Sequence, residues 1–552
     1  MASRLLWSCC GEVSFLRAGG PMKRFGTVFP FLEAGPQSRH LGRLVANHDF
    51  AKALLTYGTF DEYLFSNTSA SNLKTFADTT QQWGLSDERR LRIRYASYVD
   101  LPDLLHRQSF HVFHLGGWGA FMPGLHYIRA RYASNPWPIT GVTHSLNGRE
   151  VIDHAARISH AAMAPYDAIF CTSRDGREAM CKLLAGGAAI AGRSFAGRLE
   201  HLPLGIDDEL ADCTGNRERA RARLRIATDA VVLLVLGRMT PCQKMDLGPL
   251  LRTFAQQIVP KSPRPVCLLL AGNASPEDLR LLKASIDRYG LEPHVKLQAN
   301  FPLEQKADVL AAADILVSPV DNTQETFGLS LLEAMAAGLP VVASRFDGYK
   351  DLVDDGVDGF LIDSYASPSD PMEEWFDLLD PNIAQLFQSQ GVAIDPAQLA
   401  ARTLQLIGDD GLRASMAAAG RSKIGRDYRW SRVIARYESV WDQLAAEAAR
   451  VGIVQGPTTA NPFNLGPAAV FSHYASHALR PDQKVTATRQ ALDDTPYTET
   501  VPILRPALLH ALLSGARDGA SVDALVGSAD APPDHAWYAL TWLIKYGLLT
   551  VD

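Results

Sequence analysis

Short apolar runs alternate with amphipathic stretches along most of the chain. In the first part, runs at 25–31, 62–66, 110–115, 139–144, 167–172 and 199–204 have strand length, and most are separated by segments long enough for a helix. Strands alternating with helices predict a parallel sheet covered on both faces, a Rossmann-like unit. After the polar, arginine-rich segment 216–225 the pattern restarts, with runs at 231–236, 266–270, 295–298, 315–318 and 340–343 predicting a second doubly wound sheet. Two such sheets facing each other enclose a cleft, and ligands of these sheets sit beyond the carboxyl ends of the strands.

The same pattern sets the domain boundaries. We expect an N-terminal extension over 1–24, a first domain over 25–210 and a second over 211–450. A linker follows over 451–467, rich in Gly, Pro, Thr and Asn, then a small C-terminal module over 468–552. Residues 364–395 interrupt the second domain's alternation with Pro368, Pro371, Pro381, Trp375 and Phe376, and read as an insertion. Its acidic, aromatic character fits the lining of an acceptor site or a plain surface subdomain. Residues 431–449 predict a long amphipathic helix closing the second domain. In the module, helical patterns at 503–513, 522–526 and 536–546 followed by a strand-like run to Val551 predict a mostly helical, winged-helix-like unit.

Composition narrows the function classes. The 552 residues include 47% hydrophobic and 21% charged, a globular balance able to bury real cores. Lys plus Arg number 54 against 60 Asp plus Glu, a net charge of −6, which lacks the basic excess of a nucleic-acid binder. The tail from 453 to 552 holds six Lys or Arg and nine Asp or Glu, so docking or dimerisation suits it better than DNA reading. No apolar run reaches the ~18 residues of a membrane span. The seven cysteines show no metal-ligand pattern with histidine, and a reducing cytoplasm is the expected compartment. His473 and His477 lie at helical spacing without a third ligand, so neither a metal nor a cofactor is expected.

Candidate chemistry sits where the predicted strands end. The segment Glu325-Thr-Phe-Gly-Leu-Ser-Leu-Leu-Glu333-Ala-Met-Ala-Ala-Gly338-Leu-Pro runs from a strand through a loop into a helix. Thr326, Phe327, Gly328 and Leu329 fall at that helix start, where unpaired N–H groups and the helix dipole suit a phosphate; Gly328 lets a ligand approach the backbone. Glu333 can direct its carboxylate at a vicinal diol such as a ribose, and Glu325 can reach the group beyond the phosphates. After the strand 231–236 come Gly237, Arg238 and, six residues on, Lys244, a pair suited to neutralising a diphosphate. His144 ends a first-domain strand and faces the expected cleft. The turns holding Gly35 and holding Gly116 and Gly117 are either phosphate or acceptor loops or ordinary turns. Neither Gly-x-Gly-x-x-Gly after the first strand nor a Walker motif occurs, which removes the main requirement of dehydrogenases and P-loop NTPases.

Together with Pro203-Leu-Gly205-Ile-Asp207 and Asp354-Asp-Gly356-Val-Asp-Gly359-Phe-Leu361, these motifs resemble those of the retaining, GT-B-fold glycosyltransferases of family four, the glycosyl transferases group 1. The similarity covers about residues 25–450 and is clearest in the second domain. It implies a nucleoside diphosphate sugar held by the second domain and a saccharide, lipid or small-molecule acceptor held by the first, with transfer that retains the anomeric configuration and needs no metal. Carried over, Arg238 and Lys244 grip the diphosphate, Glu333 the ribose, Glu325 and the Phe327–Leu329 amides the sugar and phosphates, and His144 the sugar from the opposite domain. The family's N-terminal double-glycine loop is replaced here by Ala34-Gly35-Pro36. A catalytically silent scaffold with a partner-binding tail, and a sugar phosphorylase or epimerase on the same fold, are the alternatives.

Overall fold

The computed structural model describes residues 22–28, 42–67, 70–119, 121–207, 216–454, 461–490, 492, 501 and 503–552. Gly35 and its turn therefore lie outside the described residues, as does most of the 1–24 extension.

Among the described residues the first sheet contains β1 (Arg24–Thr27), β2 (Glu62–Asn67), β3 (Ile93–Ser97), β4 (Val112–Leu115), β5 (Ile139–Val142), β6 (Ala168–Cys171) and β7 (Arg198–His201). They lie in the order β3-β2-β1-β4-β5-β6-β7, all parallel. The second sheet contains β8 (Val231–Leu236), β9 (Val266–Gly272), β10 (Val295–Ala299), β11 (Ile315–Ser318), β12 (Val341–Ser344) and β13 (Gly359–Ile362), in the order β10-β9-β8-β11-β12-β13, again parallel. The central strands β8 and β9 are buried along their whole length, as continuous apolar runs in a two-faced sheet must be.

The structure adds one strand to each of these two sheets beyond those the pattern predicts. Edge strand β3 mixes Arg94 among its apolar residues and has one covered neighbour only, so no apolar run marks it. Strand β13 opens on Gly359, where a Cβ would lie 2.5 Å from Val341 O, so close strand approach selects a residue that weakens the strand signal.

The helix Trp430–Val451 crosses from the second domain to the first. Its Tyr437 and Trp441 are fully buried there: Trp441 packs 5.7 Å from Phe25, and its Nε1 donates to Thr140 Oγ1 at 3.2 Å. One core therefore runs from the second domain through this helix onto one face of the first sheet. The joint that leads between domains is tight: Ile206 N donates to Tyr428 O at 2.8 Å, and a Cβ on Gly205 would sit 2.5 Å from the Trp430 ring.

The insertion forms a two-stranded antiparallel sheet of β14 (Ser364–Ala366) and β15 (Val392–Ile394) and carries the helix Pro381–Gln390. In the C-terminal module, β16 (Lys484–Ala487) pairs antiparallel with β17 (Ala520–Ser521) and β18 (Leu549–Val551). The helices Pro506–Gly515, Val522–Ser528 and Pro533–Lys545 pack around a core of the module's own. The predicted helices thus come with a small sheet, because strands of two to four residues leave little periodicity to read. No helix among the described residues is long and apolar enough to cross a membrane.

Candidate active site

Between the domains lies a cleft of about 680 Å³. From the second domain, Gly237, Arg238, Lys244, Glu325, Thr326, Phe327, Gly328, Leu329 and Glu333 line it; from the first, His144, Gly116 and Gly117. All the singled-out residues except Gly35, which is outside the described residues, meet in this one space.

The second-domain half is built from strand ends. Strand β8 delivers Gly237 with φ +148°, and β9 ends on Gly272 with φ +151°, conformations glycine tolerates. A Cβ on Gly272 would lie 1.6 Å from Gly237 O, so the two strand ends meet backbone to backbone. The loop then turns back on itself, with Lys244 N donating to Thr240 O at 3.1 Å, which brings Lys244 beside Arg238. Across from this loop, the helix Leu329–Ala337 begins at Gly328 and ends at Gly338 with φ +80°. Gly328 lines the cleft, but its missing side chain serves packing as well as approach. A Cβ there would sit 2.6 Å from Tyr349 Cε1, and φ is +116°.

Charges in the cleft are paired unevenly. Lys244 Nζ contacts Glu325 Oε2, and Lys306 Nζ contacts Glu333 Oε1. Arg238 instead is held by neutral oxygens: Nη1 donates to Gln243 Oε1 at 2.8 Å, and Nη2 to Gln243 O at 3.2 Å and Gln324 Oε1 at 3.1 Å. Among the described residues it has no carboxylate partner. A guanidinium fixed in this way keeps its charge uncompensated and directed at the cleft, a cost offset only by an anion. Burial and the Arg238 charge push the Lys244 ammonium down to about 7, while Glu333 pulls the other way. Glu325 also accepts from Phe327 N at 3.2 Å, so that amide at the helix start already has a partner.

On the opposite wall, His144 Nε2 lies 2.9 Å from Gly116 O and 3.2 Å from Asn47 Oδ1. Both are acceptors, so Nε2 carries the hydrogen and Nδ1 is left as an acceptor. Burial pushes the imidazole down to about 4, with Arg43 adding to the fall and the Gly116 bond opposing it, which makes His144 neutral at pH 7. The double-glycine run serves here through a carbonyl rather than an amide: Gly116 O also accepts from Asn47 Nδ2 at 2.9 Å.

Lys306, Arg43, Asn273, Phe301 and Gln324 also line the cleft and were not among the residues singled out from the sequence. Asn273 follows β9 and Phe301 and Lys306 follow β10, so applying the strand-end rule to each strand, rather than to the motif-bearing ones, finds them. Among the described residues, no group of three or more His, Cys, Asp or Glu is arranged to hold a metal ion.

Residues 230–379 match the family described as glycosyl transferases group 1. Over 171 residues the chain is 36% identical to a D-inositol 3-phosphate glycosyltransferase of Saccharomonospora viridis, covering 30% of this chain and 37% of that one. It is 28% identical over 315 residues to the protein of the same name from Xylanimonas cellulosilytica, covering 52% and 64% respectively. These matches span between about a third and just under two thirds of the relatives' own length. In fold the chain is similar to Anabaena HepE in complex with UDP, with a TM-score of 0.50 at 17% identity over 76% of this chain and all of that one. A glycosyltransferase from Rickettsia africae gives 0.51 at 13% identity over 77% and 98%. Two facing Rossmann-like domains of the GT-B kind are what this chain folds into, and the residues that match the glycosyl transferases group 1 family lie in the second of them.

Proposed function

We propose that the protein transfers a sugar from a nucleoside diphosphate sugar to an acceptor hydroxyl with retention of configuration. The observation that carries this reading is Arg238: a part-buried guanidinium without a carboxylate partner among the described residues, beside Lys244 and opposite a helix start, in a cleft shared by both domains. A diphosphate supplies the missing negative charge and the paired oxygens that a guanidinium fork accepts. Glu333 takes the ribose hydroxyls through the carboxylate oxygen that Lys306 does not contact. The neutral His144 offers its Nδ1 lone pair to a sugar hydroxyl.

In the transfer step the bond from the anomeric carbon to the departing phosphate oxygen breaks, and a bond to the acceptor oxygen forms on the same face. The acceptor's proton passes to the departing phosphate oxygen, and the positive pair stabilises the charge developing there. The cations are side chains throughout, and neither a metal nor an organic cofactor enters this reading.

HepE is a protein seen with UDP and glucose, and the sequence relatives carry the name D-inositol 3-phosphate glycosyltransferase. UDP-glucose is accordingly the first donor to test and an inositol phosphate the first acceptor. Purified protein should release UDP from UDP-glucose, faster with acceptor, and NMR should show an α-linked product. Absence of binding to UDP, ADP and GDP alike in calorimetry overturns the reading.

A further inference from the structure

The insertion stands outside both sheets, yet the polar side chains of its helix Pro381–Gln390 reach the two loops that present the donor-site charges. On the loop that carries Arg238 and Lys244, Asn382 Oδ1 accepts from Gln243 Nε2 at 3.4 Å. Ser389 Oγ, whose proton goes to Leu386 O of its own helix at 2.9 Å, lies 3.2 Å from Pro241 O, and Gln390 Nε2 donates to Asp246 Oδ2 at 3.2 Å. On the loop that leads to Glu325, Gln388 Oε1 accepts from Thr323 Oγ1 at 2.9 Å. Gln243 is also the residue that holds Arg238 by both its side chain and its carbonyl. The two loops touch each other as well, through Asn322 Nδ2 and Pro241 O at 2.9 Å.

We infer that the helix Pro381–Gln390 is a splint that fixes the cation loop against the acid loop, with Gln388 and Thr323 as positioning residues for donor binding. This rests on the reading of the cleft as a nucleotide-sugar site. The physical reason is preorganisation. Arg238 and Lys244 are long side chains on a loop, and ordering such groups at the moment of binding costs affinity. Bonds made beforehand by a rigid helix remove part of that cost.

Thr323 is the most sensitive point of the splint. Its hydroxyl accepts from Asn147 Nδ2 of the first domain at 3.3 Å, so its single proton goes to Gln388 Oε1. One hydroxyl thereby joins the first domain, the acid loop and the insertion. Serine keeps that hydroxyl, whereas valine keeps the shape and loses it.

The test uses the full chain with UDP as the probe. Gln388→Leu and Thr323→Val should each weaken UDP binding about five- to tenfold, the effect of one lost hydrogen bond to an ordered loop. Each should raise KM for UDP-glucose more than it lowers kcat. Each should also speed amide exchange in 238–246 and 321–328 while the thermal midpoint stays put. Thr323→Ser should match the wild type, and the Gln388→Leu/Thr323→Val double variant should be no weaker than Thr323→Val alone, because Thr323→Val already removes the bond that Gln388→Leu breaks. Wild-type exchange in both loops of Gln388→Leu, or identical behaviour of Thr323→Ser and Thr323→Val, overturns the inference. If wild-type protein binds none of UDP, ADP and GDP while the loops respond as expected, the donor reading fails and the splint stands. If it binds UDP and the loops do not respond, the reverse holds.

Discussion

Arg238 and Lys244 face the same cleft in different electrical states. Arg238 is permanently charged and bonded to neutral oxygens, so Arg238→Ala should lower kcat/KM for donor hydrolysis by about a hundred- to a thousandfold. Wild-type turnover in that variant would refute its role. Lys244 starts from a pKa held down at about 7, against a usual 10.5; under the proposed reading the negative charge of a bound diphosphate raises it again. Above pH 7 the free protein has lost this proton and the complex holds it, so binding takes up a proton there. UDP affinity should therefore fall as pH rises from 7 toward 10.5, by at most about tenfold per unit. Lys244→Arg should flatten the profile in calorimetry at stepped pH. At this scale the sequence is most legible where a residue type suited to the chemistry falls at the end of a readable strand, as with Gly237, Arg238 and His144, all of which line the cleft. It is least legible for Lys306, which looks like any surface lysine until the fold brings it to Glu333. Likewise, the packing demand of Tyr349 on Gly328 depends on a residue 21 positions away in sequence.

Secondary-structure elements depend on bonds that periodicity does not encode. The first sheet is anchored by Asp167, which is fully buried with Arg129. Its oxygens accept from Arg129 Nη1 and Nη2 at 2.6 and 2.7 Å and from Ile139 N and Ala164 N, each at 2.8 Å. Arg129 also lies over the rings of Trp137 and Tyr166, at 5.4 and 5.1 Å. Asp167→Asn leaves a buried guanidinium unpaired and should cost about 3–5 kcal/mol of stability, read from urea denaturation midpoints. A loss below about 1 kcal/mol would mean that water reaches the pair. The wholly buried strands β8, β9 and β11 are legible because burial on both faces forces continuous apolar runs. Strands β3 and β13 escape notice because one lies at an edge and the other trades side-chain bulk for strand approach. Helix Trp430–Val451 is legible as an amphipathic stretch, while its destination on the first sheet is a matter of tertiary packing.

On the scale of the whole molecule, cleft and tail are separable. The C-terminal module has a core of its own, and Arg505 meets Asp100 of the body at an exposed 2.6 Å ion pair. Exposed pairs of this kind contribute little, about 0–1 kcal/mol. Deleting 455–552 should leave UDP affinity within about twofold of the full chain, since none of the residues lining the cleft belongs to that segment. A large loss of affinity would show that the module supports the cleft.

The return of helix Trp430–Val451 to the first sheet bears on how the polypeptide is made. Phe25 and Phe60 emerge from the ribosome early, but the Trp441 indole that covers them comes hundreds of residues later. At about 5–20 residues per second, the interval between the last strand of the first sheet, ending at His201, and Val451 is roughly 12 to 50 seconds. Throughout that wait an aromatic surface of the nascent chain stands open to solvent. Chaperone occupancy during translation should therefore begin with the first sheet and end only once Val451 has cleared the exit tunnel.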